Sequence, residues 1–583
     1  MEQRMEIIEH DVDFCVVGGG LAGMLAAIAA ARNGARVAIM QDRPVFGGNC
    51  SSEIRMWTLG CHGENNRETG ILEEILLENM DRNPQRNFSV WDSILYEKIR
   101  FQPGIEMILN CSCQEAEMDG ARIRSVTGWQ LTTYTRHRVR AKLFADCSGD
   151  SVLAPLTGAQ FRVGREARSE FGERIEPERA DRCTMGMSCL LQARETDHKV
   201  DFKPPKWAYV YKTDEEINRA HDFLSDRTEN FWWIELGGTG DSIRDTEQVR
   251  DELLRITFGI WDHIKNRGDH GADNWELEWV GFLPGKRESR RYAGDVIVTE
   301  NDVAAGGHFE DVTAYGGWTM DDHDPRGFYG ERGNIFHPAP CPFGIPYRSM
   351  YSANIENLFC AGRNISATHA AMSATRVMAT CATIGQAVGT AAAIAARDGL
   401  TPRSVYERRL EELLDRLQFD DAWLPFRRRA IPALTAEAAA THDVLRNGYD
   451  RPQNGQDNGC RLAFGEAACY DFGALRRVQT CRLVLDSDLE RVSCDGDTTM
   501  RTYPMVCNKY RDMLGFGFPK TMLRSFRLEY RTQDGEWKLI RQIDDNIQRL
   551  VVIPCDVSAT AVRFIPLAGY GSADAHVFSF DVR

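Results

Sequence analysis

The apolar positions change period along the chain, and the changes mark its parts. Residues 14–17 (FCVV) are a short apolar run of the kind a strand buried on both faces needs. Residues 21–32 are alanine-rich and helical and end at Asn33-Gly34, a good helix C-cap, and residues 36–40 form a second apolar strand. Helical spacing returns over 71–80 and 93–101, and 106–109, 122–129 and 138–140 read as strands of a meander. Residues 142–150 (KLFADCSGD) are an apolar strand ending in an acid and a glycine, and a short helix follows. From 161 to 284 the chain becomes charged and aromatic; 231–236 and 274–285 alternate as antiparallel strands do, and 247–266 has helical spacing. Residues 304–342 read as a long loop that could act as a lid, and 357–360 as a last buried strand before a small-residue helix. Beyond 460, short alternating runs at 480–485, 525–530, 537–540, 549–553, 561–565 and 577–582 predict a β-sandwich.

These patterns predict an α/β doubly wound, Rossmann-like domain with an inserted α+β domain and a C-terminal all-β sandwich. The expected boundaries are 1–160 and 346–400 for the two parts of the nucleotide domain, 161–345 for the insert with an arginine-rich segment at 284–303, 401–435 for a helical linker, and 436–583 for the sandwich. A chain of 583 residues is long enough for about three domains. A net charge of −15 argues against nucleic acid or an anionic membrane as partner. The N-terminal residues lack the basic and apolar regions of a secretory signal, so a cytoplasmic location is expected. The apolar helix after Ser373 carries Arg376, Gln386 and repeated glycines, which favour burial against a cofactor or sheet over a membrane span. The 17 cysteines contain no C-x-x-C pair, so buried reduced thiols are expected and no iron–sulfur or zinc site is assigned.

The candidate chemistry starts at Gly18, Gly20 and Gly23, which spell G-x-G-x-x-G between the first strand and its helix. Gly18 permits the tight turn, Gly20 admits a pyrophosphate to the backbone, Gly23 lets the helix sit close, and the N-terminus at Leu21-Ala22 turns N–H groups and the positive dipole end toward phosphate. The second strand ends in Gln41-Asp42 where such sites usually carry one ribose-binding acid. Either side chain could meet a ribose hydroxyl. Gly47, Gly48 and Asn49 follow as an extended glycine loop. Gly149 and Asp150 return the chain to the same crevice, with Asp150 open to ligand contact or to capping the next helix. Gly362, Arg363 and Gln386 complete the set from the C-terminal half. The cluster Arg287, Arg290 and Arg291 around Glu288 is costly to bury without anionic partners.

The N-terminal GGG-x-A-G turn, QDRPVxGGN, PGxRESRR and AGRxISATH together resemble the FAD-dependent oxidoreductase family over about residues 11–410, a family similar to glutathione-reductase-like flavoproteins. The resemblance implies FAD as cofactor and fits Gln41-Asp42 as a family preference. The C-terminal region is similar in spacing to galactose-binding jelly rolls, for which glycan binding, buttressing and dimerisation are all open roles. The expected reaction is hydride transfer from a hydroxylated, sugar- or polyol-like small molecule to the flavin. His369 is the first candidate proton acceptor and His62 the second, with Arg290 and Arg348 as substrate or flavin clamps. Reduction of an activated double bond, with arginine as the proton source, and a carbohydrate-binding protein with a purely structural nucleotide domain are the alternatives. The electron acceptor and a homo-oligomeric state are left open by the sequence.

Overall fold

The computed structural model describes residues 6–217, 219–221, 229–494, 504–515 and 517–583. The chain divides into two compact units, one of residues 1–62, 86–413 and 503–513, the other of 63–85, 414–502 and 514–583. This division departs from the expected boundaries. Residues 63–85 belong with the C-terminal unit, although the sequence placed them in the nucleotide domain, and 503–513 belong with the first unit.

The first unit is built on a seven-stranded sheet. β1 (Ile7–Val17) lies parallel to β2 (Val37–Met40), and β3 (Ile105–Ile108) lies parallel beyond β2. On its other side β1 pairs parallel with β6 (Thr135–Asp146), which continues as an antiparallel meander through β5 (Arg122–Gln130) to β4 (Cys111–Asp119). The strand Leu358–Cys360 also lies parallel to β6. Phe14, Cys15 and Val16 are fully buried, which is what the apolar run 14–17 predicts for a central strand. The register aligns Val17 with Met40 and with Asp146, and Asp146 with Cys360. Four strand ends therefore open at one crevice, where the chain leaves as Gly18, Gln41, Cys147 and Ala361.

Helix α1 (Leu21–Arg32) packs under this sheet against the helix Met378–Asp398. Their contact is backbone to backbone, because a Cβ on Gly385 or Gly389 would stand 2.1 Å from the carbonyl oxygens of Ala22 and Ala26. Met378–Asp398 is long and apolar enough to cross a membrane, but 94% of its most apolar window is buried, as in a core helix.

The region expected as an inserted α+β domain consists of several two- and three-stranded sheets around the helix Thr246–Asp262. Its core includes Phe231, Trp233, Trp261 and Trp275. Residues 304–342 are not a plain loop: Met320–His323 and Asn334–His337 form an antiparallel hairpin. The sequence hid it because MDDH lacks the alternation of a half-buried strand.

The second unit is an antiparallel sheet whose longest strands, Ala468–Leu485 and Leu550–Gly569, run through several register shifts. The runs at 549–553 and 561–565 are one strand, not two. Leu483, Phe526, Phe564 and Phe580 lie in its core. Beside that core is a network of buried ions: Asp450 takes Arg429 and Arg482, each at 3.0 Å, Asp581 takes Arg429 at 2.8 Å, and Asp421 takes Arg549 at 2.8 Å. None of the 17 cysteines forms a disulfide.

Candidate functional site

At the crevice of the four strand ends the first unit encloses a cavity of about 600 Å³. The glycine turn forms its floor. Gly18 has φ +106°, and a Cβ there would lie 2.5 Å from the backbone of Cys147, so only glycine permits the turn. A Cβ on Gly23 would stand 1.9 Å from the Gly18 carbonyl oxygen, which fixes glycine at the start of α1 as well. Gly20 is the N-cap of α1 and supplies no side-chain cap, leaving the first N–H groups of the helix for a ligand. It also pairs with Gly47, and the Gly20 and Gly48 backbones pass with no side chain between them. The helix Met378–Asp398 likewise starts without a side-chain cap, and Val377, Met378 and Cys381 lie in the cavity wall.

Gln41 lines the cavity but serves the turn. Its Oε1 accepts the Gly19 N–H at 2.7 Å and its Nε2 donates to the Val45 carbonyl at 3.1 Å, so both ends of the carboxamide are tied to the turn. Asp42, next to it, keeps 61% of its side chain exposed, with Arg43 3.8 Å away.

Asp150 accepts Ser289 at 2.8 Å, Arg363 at 2.9 Å and Lys286 at 2.8 Å. Burial disfavours its charge, but Arg363 and Lys286 outweigh that and hold its pKa at about 2. It does not cap the next helix: Asp146 accepts the Leu153 N–H at 2.7 Å. Gly149 has φ +76°, in the left-handed region that favours glycine, and its backbone lies against the Arg363 guanidinium. Asn49 donates to the Lys286 carbonyl at 3.0 Å, tying the Gly47–Gly48 loop to the arginine-rich segment. Gly362, with φ +109°, and Arg363 complete this end of the wall, whereas Gln386 is buried in its helix outside it.

The four catalytic candidates part company. His369 is buried and absent from the cavity wall; its Nδ1 meets Glu288 at 2.8 Å and its Nε2 meets Asp322 at 3.1 Å. Burial opposes protonation, but Glu288 and Asp322 prevail and raise its pKa well above the usual imidazole range. His369 is a buried ion-pair partner behind the wall and does not reach the cavity, so the assignment of His369 as the base is corrected. His62 is exposed and stands edge-on to Trp318, 5.9 Å between ring centres, so it borders a cavity residue without being one. Arg290 does line the cavity, donating to the Asp150 carbonyl at 3.2 Å. Arg348 does not, and is held by a two-pronged pair with Asp311 at 2.9 and 3.0 Å.

The residues the sequence reading missed come from the polar hairpin and from Phe231–Leu236. His323 lies in the cavity wall with Nδ1 2.6 Å from Glu235 and Nε2 3.3 Å from Asp321. Each of these carboxylates has a guanidinium of its own, Arg287 at 3.4 Å from Glu235 and Arg376 at 3.4 Å from Asp321. Asn334 donates to Asp321 at 2.6 Å, and Trp232 stands edge-on to the His323 ring at 5.3 Å. Burial pushes the Glu235 and Asp321 carboxyls up, but Arg287 and His323 at Glu235, and His323 and Arg376 at Asp321, outweigh it and draw both below their usual range. Adjacency of Asp321 and His323 in a Gly/His-rich stretch was the available signal, but nothing local pairs them with Glu235.

The wall carries six cationic side chains, Arg43, Lys286, Arg287, Arg290, Arg363 and Arg376, against three carboxylates, Asp42, Asp150 and Asp321. In a chain of net charge −15 this is a local excess of positive charge. Together with the uncapped α1 terminus and the bare Gly20–Gly48 backbones, this donor set fits the pyrophosphate of FAD.

The sequence matches the family described as FAD dependent oxidoreductase over residues 13–417. No curated protein sequence matches the chain. Among solved structures, a geranylgeranyl bacteriochlorophyll reductase-like protein of Thermoplasma acidophilum is 12% identical, with 70% of this chain and 84% of that one covered and a TM-score of 0.30. The p-nitrophenol 4-monooxygenase of Pseudomonas putida is 12% identical over 71% and 86% of the two chains, with a TM-score of 0.32. The family 32 carbohydrate-binding module of Streptococcus pneumoniae EndoD is 12% identical over 26% of this chain and 97% of its own, with a TM-score of 0.19. With the family match spanning more than two thirds of its length, the chain belongs to the FAD dependent oxidoreductases, and FAD is its cofactor.

Proposed function

We propose that this flavoenzyme oxidises a hydroxyl-bearing small molecule of sugar or polyol type, with His323 as the proton acceptor. Bound FAD would supply the acceptor for the hydride that leaves the substrate carbon. The observation that carries the reading is the placement of His323: it is the cavity-wall histidine, with Glu235 2.6 Å from Nδ1 and only a longer, 3.3 Å contact at Nε2. Glu235 orients the ring through Nδ1, and Nε2, whose contact to Asp321 is the longer one, is the nitrogen through which the proposed proton transfer would run. Arg287 and Arg376 stand 3.4 Å from Glu235 and Asp321, so each carboxylate has a guanidinium beside it as well as the imidazole. Asp321, Asn334 and Trp232 provide the hydrogen-bonding and aromatic surface that a polyhydroxylated ring uses.

The test is His323→Gln, loaded with FAD and assayed anaerobically for flavin reduction by a sugar and polyol panel. With FAD content unchanged, the reduction rate should fall by about 10²–10⁴-fold. A variant that reduces its flavin at the wild-type rate refutes the role of His323.

A further inference from the structure

We propose that Asp214, His221, His263 and His270 form a binding site for a divalent late transition metal ion, zinc above all. The four side chains can each present one ligand atom, and those atoms lie within 4.8 Å of one another. All four belong to the first unit, and none lines the FAD cavity.

The geometry is that of a tetrahedral cage. Metal–ligand bonds of about 2.0–2.1 Å set tetrahedral ligand atoms about 3.3–3.4 Å apart. Here Asp214 Oδ1 lies 2.9 Å from His263 Nε2, 3.6 Å from His270 Nε2 and 3.8 Å from His221 Nε2, and the His263 and His270 Nε2 atoms are 3.1 Å apart. The three ring centres are 4.9–5.1 Å from one another with the planes steeply inclined, so the rings converge on a point and do not stack.

The outer nitrogens agree with this. His221 Nδ1 lies 2.8 Å from the Arg219 carbonyl and His263 Nδ1 lies 3.1 Å from the Tyr211 carbonyl. A carbonyl can only accept, so both Nδ1 atoms carry hydrogen and both Nε2 atoms can offer lone pairs inward, as metal-bound histidines do. His221 supplies the independent sign of a missing ligand: its side chain is 93% buried and its Nε2 has no hydrogen-bond partner, an arrangement that costs free energy unless something binds there. Three imidazoles and one carboxylate suit zinc and its late divalent neighbours, and four protein ligands make a closed, structural site.

Local structure explains the convergence. The helix Thr246–Asp262 runs on into a single π-helical turn, His263–Arg267, which presents His263 inward and brings the chain round to His270. A metal there would pin this end to the 214–221 segment. From that segment Arg219 donates to the carbonyls of Gly327 and Gly330 at 2.9 and 3.0 Å. Cysteine spacing assigned no metal; histidines far apart in sequence assemble this site.

The experiment uses the full chain with FAD bound, stripped by a chelator and then titrated with zinc by calorimetry. One equivalent should bind in the wild-type protein and in the surface control His198→Ala. His221→Ala and His270→Ala should weaken binding roughly a hundredfold each while retaining FAD. Absence of a stoichiometric site, or wild-type affinity in both ligand variants, overturns the proposal. Should the variants fail to fold, X-ray absorption on zinc-loaded wild type decides: a shell of imidazole nitrogens and one oxygen at about 2.0–2.1 Å supports it, and sulfur ligands or an all-oxygen shell refute it.

Discussion

Replacing Asp150 by asparagine keeps the shape of the side chain and removes the charge that Lys286 and Arg363 share at 2.8 and 2.9 Å. The carboxyl pKa is held at about 2 against an ordinary value of 3.8. A carboxylate with a depressed folded-state pKa contributes stability above the unfolded value and loses it as pH falls through the folded value. For this pair of values the contribution is about 2 kcal/mol at pH 5, about 1 kcal/mol at pH 3, and little below pH 2. Ten of the twelve tryptophans lie in the first unit, so urea unfolding of the flavin-stripped protein followed by tryptophan fluorescence reports that unit. Asp150→Asn should be less stable than wild type by about 2 kcal/mol at pH 5 and above, with the gap closing by about 1 kcal/mol at pH 3. A difference independent of pH over this range would mean that packing, not the ion pairs, makes Asp150 matter.

Three other substitutions probe the scaffold. Gly385→Ala places a Cβ 2.1 Å from the Ala22 carbonyl oxygen, so α1 must shift; a loss of about 1–3 kcal/mol and faster FAD release should appear in flavin fluorescence. Gln41→Ala leaves the Gly19 N–H without its acceptor at a cost of about 1–3 kcal/mol, so the FAD dissociation constant should rise about tenfold or more, read by equilibrium dialysis. Asp450→Ala strands Arg429 and Arg482 in the buried network of the second unit; a loss of about 3–5 kcal/mol should show as an early unfolding transition in circular dichroism.

Much of the cofactor site was legible because it is local. The apolar run 14–17, the three glycines and the strand 357–360 each carry their role in adjacent residues, and the sheet brings their ends together at Val17, Asp146 and Cys360. Side-chain roles were harder. Gln41 stands where a ribose ligand is expected, and the structure adds a second task, accepting the Gly19 N–H of the glycine turn. His369 sits beside the right turn, but Glu288 and Asp322 reach it from elsewhere in the chain and hold it as a buried cation. His323 was lost in a segment read as loop, since its strand pairs two polar stretches and its partner Glu235 is 88 residues away. The long strand Leu550–Gly569 was divided at Pro554 and Asp556, which the structure accommodates with register shifts.

The most direct test of the central claim is anaerobic mixing of the FAD-loaded protein with a panel of sugars and polyols while the flavin absorbance is followed. The account predicts that at least one hydroxylated compound bleaches the flavin, and that His323→Gln slows the bleaching. A flavin that no member of the panel reduces, but that a reduced nicotinamide bleaches and an activated alkene then reoxidises, would contradict it.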